Sequence, residues 1–301
     1  MRPRALFLLF LIVMIIASCG GRTDSPSGET VPVILTSTTF LADIAQNVAG
    51  DRVKVESLLP VGSDPHAYQP TPKDVTKIEQ SKLLIINGAE YEHFLEGLLE
   101  SAGGEREVIE ASAGLSPRVD TESEHGGTDP HLWLDPNHVV VYVENIREGL
   151  THYDPEGAAI FQSNADAYVA QLLDLDAWIS EQVSQIPPER RLLVTNHEAL
   201  GYFADRYGFT AIGAVVPSVS SAASPSAEQM AELIDQIRAS GSPAIFLDEV
   251  ENPALAQQIA DETGVKVVED LHLESLTDGP PAGAYIDMMK HNVTRIVEAL
   301  K

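Results

Sequence analysis

Cysteine and positive charge are scarce in this sequence, and both scarcities restrict what the protein can do. The only cysteine, Cys19, has no partner in the chain, so internal disulfides and thiolate zinc sites are excluded. Lysine and arginine number 19 against 45 aspartates and glutamates, which gives a net charge of −26 at pH 7. A surface this acidic argues against a nucleic acid as partner.

The N-terminal segment has the composition of an export signal. Two arginines precede an apolar run over residues 5–16, and small residues then lead to Cys19. Residues 16–19 resemble the bacterial lipobox, in which cleavage leaves the cysteine lipid-modified, so we expect a lipoprotein signal peptide over residues 1–18. A plain signal peptide or an uncleaved anchor would also fit this composition. Residues 19–30 are rich in Gly, Ser, Thr and Pro and predict a flexible tether.

Strand-like and helix-like runs alternate along the remaining chain, which predicts an α/β fold. Strands are expected at residues 31–36, 53–59, 83–86, 108–109, 192–195, 209–215, 244–247 and 265–268. Helices are expected at residues 39–49, 74–81, 92–99, 136–150, 198–207, 225–237, 253–263 and 284–300. Residues 111–130 show no periodicity and predict an acidic loop.

One stretch in the middle departs from this alternation. Between residues 156 and 186 there is no strand signal, and apolar residues recur at three- and four-residue spacing. The helix that this pattern predicts would be roughly 40 Å long. We therefore expect an N-terminal α/β lobe over residues 31–152, a long linking helix over residues 153–187 and a C-terminal α/β lobe over residues 188–301, each lobe with a parallel sheet.

Three histidines stand at predicted junctions between strands and loops. The tripeptide Asp-Pro-His occurs twice, ending at His66 and His131, and proline stiffens the backbone before each imidazole. His197 follows the predicted strand at 192–195. Because ligands of open α/β sheets bind beyond the carboxyl ends of the strands, these imidazoles predict one transition-metal site assembled from distant parts of the chain.

The segments that carry these histidines resemble the zinc- and manganese-binding solute receptors of bacterial ABC importers, the cluster A-I or TroA-like family. The matching strings are residues 59–68, 129–136 and 196–203, with shorter matches at 225–227 and 285–289. They occur in the family's order and cover essentially the whole mature chain. The resemblance implies two Rossmann-like lobes bridged by a long helix, with the metal in the cleft between the lobes.

The resemblance also implies a set of metal ligands. The family's first two histidines correspond to His66 and His131, and its third ligand, a histidine or a glutamate, corresponds to His197. Its fourth is commonly an aspartate in an Asp-Ser-Leu segment before the last helix. This chain has Glu-Ser-Leu there, so we expect Glu274 as the fourth ligand.

Other groups near these positions leave alternatives open. Water, Asp270 or His272 could take the fourth position instead of Glu274. Asp135 is expected to orient an imidazole through its other ring nitrogen, and Glu198 is expected either to do the same or to cap a helix.

Three imidazoles and a carboxylate suit zinc in tetrahedral geometry, whereas manganese prefers more oxygen donors. In the family that the chain resembles, histidine at the third position tends to mark zinc receptors and glutamate manganese receptors. We therefore expect Zn²⁺, with Mn²⁺ as the alternative. Many zinc members carry a long histidine-rich loop before the second Asp-Pro-His, and here that loop holds only His125, which weakens the zinc interpretation slightly.

The function implied by the resemblance is capture of a divalent metal outside the cytoplasm and its delivery to an ABC permease with its ATPase. We expect a monomer without enzymatic activity, periplasmic or held at the bacterial membrane by lipid on Cys19. Two other classes remain open. A metallohydrolase would also use three histidines and a water, although the chain has no His-Glu-x-x-His pair. A surface adhesin would bind host material without metal.

Overall fold

The N-terminal half of the protein is built on a parallel sheet in the computed structural model, which describes residues 33–120 and 127–301. Its strands are β1 (Val33–Thr36), β2 (Lys54–Ser57), β3 (Leu83–Ile86) and β4 (Glu107–Glu110). They lie in the order β2-β1-β3-β4. The connecting helices are α1 (Thr39–Ala49), α2 (Pro72–Gln80) and α3 (Leu95–Ala102). Because parallel neighbours require crossover connections, this arrangement accounts for the alternation of strands and helices in the sequence.

A short antiparallel hairpin lies where the sequence predicted a loop without regular structure, residues 111–130. Its strands are β5 (Arg118–Asp120) and β6 (Gly127–Asp129). The prediction was wrong because strands of three residues are too short to show an alternating apolar pattern. The hairpin ends at Asp129 and so fixes the start of the segment that carries His131.

Two long helices follow the hairpin, α4 (Pro136–Tyr153) and α5 (Ala158–Val183). Helix α5 has 26 residues, which corresponds to a length of roughly 40 Å. Its buried side chains recur at three- and four-residue spacing: Phe161, Ala165, Tyr168, Leu172, Leu175, Ile179 and Val183. The long helix predicted from this periodicity is confirmed, and its ends lie five and four residues inside the predicted bounds of 153 and 187.

The C-terminal half forms a second parallel sheet. Its strands are β7 (Leu192–Thr195), β8 (Thr210–Ala214), β9 (Ala244–Asp248) and β10 (Lys266–Leu271), in the order β10-β9-β7-β8. The helices of this half are α6 (Gly201–Tyr207), α7 (Ala227–Ser240), α8 (Ala254–Thr263) and α9 (Tyr285–Leu300). The two parallel sheets with their helices confirm the predicted α/β fold class.

Helix α5 joins the two halves through side-chain packing. It packs against α1 and α4 of the first half and against α9 of the second. One continuous apolar core includes side chains from both halves, among them Phe40, Leu172 and Phe246. The chain from residue 31 to residue 301 forms one compact unit, so the predicted lobe boundaries at residues 152 and 188 stay a prediction.

Trp133 is the clearest single link between the two halves. Its ring stacks on Phe40 with centroids 4.3 Å apart, and its Nε1 donates to the carbonyl oxygen of Leu273 at 2.8 Å. The Tyr285 hydroxyl donates to the carbonyl oxygen of Trp133 at 2.6 Å. Trp133 is fully buried, so it is a core residue that ties the segment after β10 to the first half.

Some sequence predictions concern residues that the structure does not describe. The signal peptide over residues 1–18, the tether over residues 19–30, the lipid site at Cys19 and the loop histidine His125 all lie outside the described ranges. Within those ranges, no helix combines the length and the apolar character that crossing a membrane requires.

Two neighbouring leucines of α5 test the role of this helix in stability. Leu172 is 1% exposed in the shared core, whereas Leu173 is 51% exposed. We expect Leu172→Ala to lower the free energy of unfolding by about 2–5 kcal/mol, because it leaves a cavity in the core. Leu173→Ala should change it by about 0.5 kcal/mol or less. Urea denaturation followed by circular dichroism measures both, and equal effects would contradict the described packing.

Candidate metal centre

Four predicted residues converge on one point between the two sheets. The Nε2 atoms of His66, His131 and His197 and Oε1 of Glu274 face one another, and one donor atom from each residue lies within 4.8 Å of the others. His131 Nε2 lies 3.4 Å from the Nε2 of His66 and 3.3 Å from that of His197. Glu274 Oε1 lies 3.5 Å from His66, 3.0 Å from His131 and 3.2 Å from His197, measured to each Nε2.

These separations match a tetrahedral coordination shell. Donor atoms about 2.0–2.1 Å from a central zinc ion lie roughly 3.3 Å from one another when they occupy the corners of a tetrahedron. Five of the six separations between the four donor atoms run from 3.0 to 3.5 Å. The cluster therefore has the dimensions and the donor chemistry for one divalent transition-metal ion.

Each donor lies in a segment that follows the end of a strand. His66 is in the loop between β2 and α2, and His131 lies two residues after the end of β6. His197 follows β7, and Glu274 follows β10. The strands of the two four-stranded sheets are parallel, so their carboxyl ends supply His66, His197 and Glu274. His131 comes instead from the end of the antiparallel hairpin.

The repeated Asp-Pro-His tripeptide has a common local geometry. Asp64 Oδ1 accepts the backbone N–H of His66 at 2.9 Å, and Asp129 Oδ1 accepts that of His131 at 3.0 Å. A side chain that binds its own backbone two residues on forms an Asx turn, and the intervening proline stiffens it. The tripeptide thus fixes the backbone from which each imidazole projects.

Two carboxylates hold the imidazoles that are most deeply buried. Asp129 Oδ1 lies 2.9 Å from Nδ1 of His131, and Glu251 Oε1 lies 2.5 Å from Nδ1 of His197. An Nδ1–H that donates to a carboxylate leaves the Nε2 lone pair free to face the centre of the cluster. The remaining oxygen of Glu251, Oε2, accepts the backbone N–H of Asp248 at 2.9 Å.

These two carboxylates are not the ones that the sequence suggested. Asp135 instead accepts the backbone N–H of Asn137 at 2.8 Å and caps the N-terminus of α4, because an aspartate before Pro136 is well placed for that role. The backbone N–H of Glu198 donates to the carbonyl oxygen of Ser218 at 2.8 Å. The position of Asp129 two residues before a predicted ligand was a usable signal, whereas nothing in the sequence pointed to Glu251.

Glu274 is held by contacts on both its side chain and its backbone. The Tyr91 hydroxyl donates to Oε2 in a very short hydrogen bond, so this oxygen is engaged while Oε1 faces the histidines. The backbone N–H of Glu274 donates to Asp248 Oδ2 at 2.9 Å. The other two residues considered for the fourth position contact different partners: Asp270 pairs with Arg295 at 2.8 Å, and His272 Nδ1 lies 3.0 Å from Glu249.

The loop that presents Tyr91 adopts an unusual backbone conformation. Gly88, Ala89 and Glu90 all have positive φ, at 82°, 51° and 63°, and only the first is a glycine. Left-handed conformations in non-glycine residues cost energy and persist where surrounding contacts fix them. Glu92 supplies such contacts, since its carboxylate accepts the backbone N–H groups of Asn87 at 2.6 Å and of Gly88 at 3.1 Å.

Burial and mutual charge set the protonation of the cluster. The four side chains are between 0% and 3% exposed. Burial raises the pKa of Glu274, but His131 and His66 outweigh this effect and hold that pKa well below its usual range. Burial lowers the pKa of His66. For His197 burial acts in the same direction, but Glu251 and Glu274 prevail and raise its pKa to about 10.

Comparison with known proteins gives a consistent family and fold. The family model described as "Zinc-uptake complex component A periplasmic" (ZnuA) matches residues 34–299. The manganese-binding lipoprotein MntA of Halalkalibacterium halodurans is 34% identical over 98% of this chain and 97% of its own length.

Solved structures show the same architecture. The periplasmic zinc-binding protein TroA of Treponema pallidum has a TM-score of 0.83 and 30% identity, over 90% of this chain and 99% of its own. A manganese-bound, serine-to-alanine variant of a periplasmic metal-binding protein from Candidatus Liberibacter asiaticus has a TM-score of 0.81 and 30% identity, over 90% of this chain and all of its own. The relatives agree in fold but differ in the metal that their names give.

The contact between Tyr91 and Glu274 generates a prediction about the metal. We expect Tyr91→Phe to weaken zinc binding about tenfold, because the loss of one partner of a ligand typically costs 10- to 100-fold in affinity. It should also raise the affinity for manganese relative to that for zinc, since Oε2 of Glu274 becomes available as an additional oxygen donor. Chelator competition measures both dissociation constants.

Tyr207→Phe is the matched control for this experiment. The Tyr207 hydroxyl donates to Asp176, outside the cluster, so its loss should leave both dissociation constants unchanged. If Tyr91→Phe behaves like this control, the phenol does not govern how Glu274 binds the ion.

Proposed function

This chain belongs to the family of periplasmic A components of zinc-uptake complexes, and on that premise we propose that it captures Zn²⁺ outside the cytoplasm and delivers it to an ABC permease. The family comprises metal-binding, substrate-binding proteins of ABC transporters, so a permease and its ATPase are the partners that this membership implies. The observation that carries the proposal is the buried cluster of three imidazole nitrogens and one carboxylate oxygen.

The proposed ligands are His66, His131, His197 and Glu274. Their four donor atoms account for a complete tetrahedral shell, whereas a catalytic zinc keeps one position open for water or substrate. A filled shell supports the role of the ion as transported cargo and argues against a metallohydrolase. Glu274 would offset part of the charge of a dication, and the neutral imidazoles would replace its water ligands with nitrogen lone pairs, so that burial of the ion becomes possible.

Two features support zinc over manganese. Nitrogen supplies three of the four donors, and manganese favours carboxylate, carbonyl and water oxygens. In addition, Oε2 of Glu274 already accepts the hydrogen bond from Tyr91, which disfavours the bidentate carboxylate that would raise the coordination number. Both features suit four-coordinate zinc.

Manganese is the second candidate, because the names of several relatives give that metal. MntA of Halalkalibacterium halodurans is called manganese-binding, and PsaA of Streptococcus mitis, 29% identical, is called a manganese transporter lipoprotein. In this alternative the fold, the partners and the cluster stay the same, and only the cargo differs.

We further propose that Cys19 carries a lipid and that the protein acts as an anchored monomer. The lipobox-like residues 16–19 support the first statement, and the names of relatives such as MntA include the word lipoprotein. A tether over residues 19–30 would let the metal-binding body reach a permease in the same membrane. Mass spectrometry of the membrane-extracted protein tests the modification, and unmodified Cys19 would contradict it.

Metal competition is the direct test of the proposed cargo. We expect the purified protein to retain one zinc ion and to prefer zinc when both metals are supplied at equal concentration. His131→Ala should weaken zinc binding by at least about 100-fold, because it removes a ligand and leaves its neighbours unsatisfied. His152→Ala is the control, since this exposed histidine lies in the last turn of α4. Retention of manganese in the presence of zinc would establish the alternative.

Proton release gives an independent test through the pKa of His197, which is about 10 in the metal-free protein. At pH 7 this imidazole carries a proton that a bound metal must displace, so binding releases protons and zinc affinity falls as the pH falls. For each proton released, the dissociation constant should rise about tenfold per pH unit. Calorimetry in two buffers of different ionisation enthalpy counts the protons, and a count of zero at pH 7 would contradict this protonation state.

A further inference from the structure

One buried carboxylate outside the cluster contacts the chain segments of two candidate ligands. Asp248 is the last residue of β9, an interior strand of the second sheet, and is 1% exposed. It does not belong to the group of residues whose donor atoms face the centre. Any effect of Asp248 on a bound ion must therefore act through its neighbours.

The side chain of Asp248 accepts three backbone hydrogen bonds. Oδ2 accepts the N–H groups of Leu273, in a very short contact, and of Glu274, at 2.9 Å. Oδ1 accepts the N–H of Val250 at 3.0 Å. A carboxyl group can accept on both oxygens, whereas an amide of the same shape presents a donor on one side. Burial raises the pKa of Asp248 to about 8, although its hydrogen bonds from backbone N–H groups act in the opposite direction. The residue thus joins the backbone at Glu274 to that at Val250. An asparagine could place its oxygen at only one of these two positions and would set an N–H against a backbone N–H at the other, so it cannot reproduce all three hydrogen bonds.

The backbone of the same residue fixes the third imidazole. The N–H of Asp248 donates to Oε2 of Glu251 at 2.9 Å, and Oε1 of Glu251 lies 2.5 Å from Nδ1 of His197. Two chains of contacts therefore start at Asp248 and end at donor atoms that lie 3.2 Å apart, His197 Nε2 and Glu274 Oε1.

From this arrangement we infer that Asp248 is a positioning residue that sets the distance between His197 and Glu274 and thereby the affinity and coordination geometry of the site. The inference rests on the proposed function, since it concerns the same ion. In this inference Asp248 holds both His197 and Glu274 in place, through Glu251 and through the backbone of Glu274. His66 and His131 are fixed separately, each by its own Asx turn.

Asp248→Asn tests this inference in the full-length protein with two metal probes. We expect zinc to bind about 10- to 100-fold more weakly by chelator competition. With Co²⁺ as a spectroscopic probe, the visible absorption bands should change in position or intensity, because the donors from the second sheet no longer hold their tetrahedral positions. The melting temperature of the metal-free variant records any separate loss of stability.

Asp176→Asn is the matched control. Asp176 also accepts three hydrogen bonds from the protein, two from Arg206 and one from Tyr207, and none of these donors belongs to the cluster. We expect this variant to lose stability while its zinc affinity and cobalt spectrum match those of the unmodified protein. If Asp248→Asn gives the same result, Asp248 is only a structural residue and the inference is overturned.

Glu251→Gln keeps the test decisive if Asp248→Asn does not fold. This change leaves the three hydrogen bonds to Asp248 in place but interrupts the path to His197, so the cobalt spectrum should still change. An unchanged spectrum would overturn the inference. Failure of the unmodified protein to bind zinc or cobalt would overturn the proposed function and this inference together, whereas normal binding with an unaffected Asp248→Asn overturns the inference alone.

Discussion

A single carboxylate oxygen, Oε1 of Glu274, lies among three imidazole nitrogens in the interior of this protein. Charged groups and hydrogen-bonding groups are costly to remove from water unless they pair with one another inside the protein. The structure around the cluster supplies that compensation from several sides, through Tyr91 on Oε2 and through carboxylates on the outer nitrogens of two rings. The loops that end the strands are shaped by this requirement, because together they must deliver each donor and the group that holds it.

The two sheets meet the requirement in different ways. The N-terminal half uses the compact Asp-Pro-His turn twice, so each of its two histidines is fixed by an aspartate two residues away. The second sheet has no such local device for His197 or Glu274 and relies on contacts between separate loops, from Asp248 and Glu251. Local geometry therefore defines one half of the cluster, and tertiary contacts define the other.

This difference explains how much the sequence could predict. Helix α1 and strand β3 have the predicted bounds, since periodicity and the turn at Gly50, with a φ of 57°, are local signals. All four residues of the cluster were expected: His66 and His131 from the repeated Asp-Pro-His tripeptide, His197 from its place after a strand, and Glu274 from a resemblance. Tyr91 could not be expected, because its position depends on a left-handed loop and on a partner 183 residues away. Asp135 was misread because an aspartate before a proline serves equally well as a helix cap.

The apolar core that runs from the first sheet through α5 to the second has a mechanical consequence. Any rotation that separated the two sheets would expose buried side chains such as Leu172 to water. The free energy of that exposure grows with the area uncovered, so the body is stiff against large rotations. An ion enclosed by side chains that are at most 3% exposed can then escape only by local loosening of the surrounding loops. Under the proposed function, the time for which the metal stays bound would depend on how often these loops open, and a transporter that binds and displaces the loops would shorten that time.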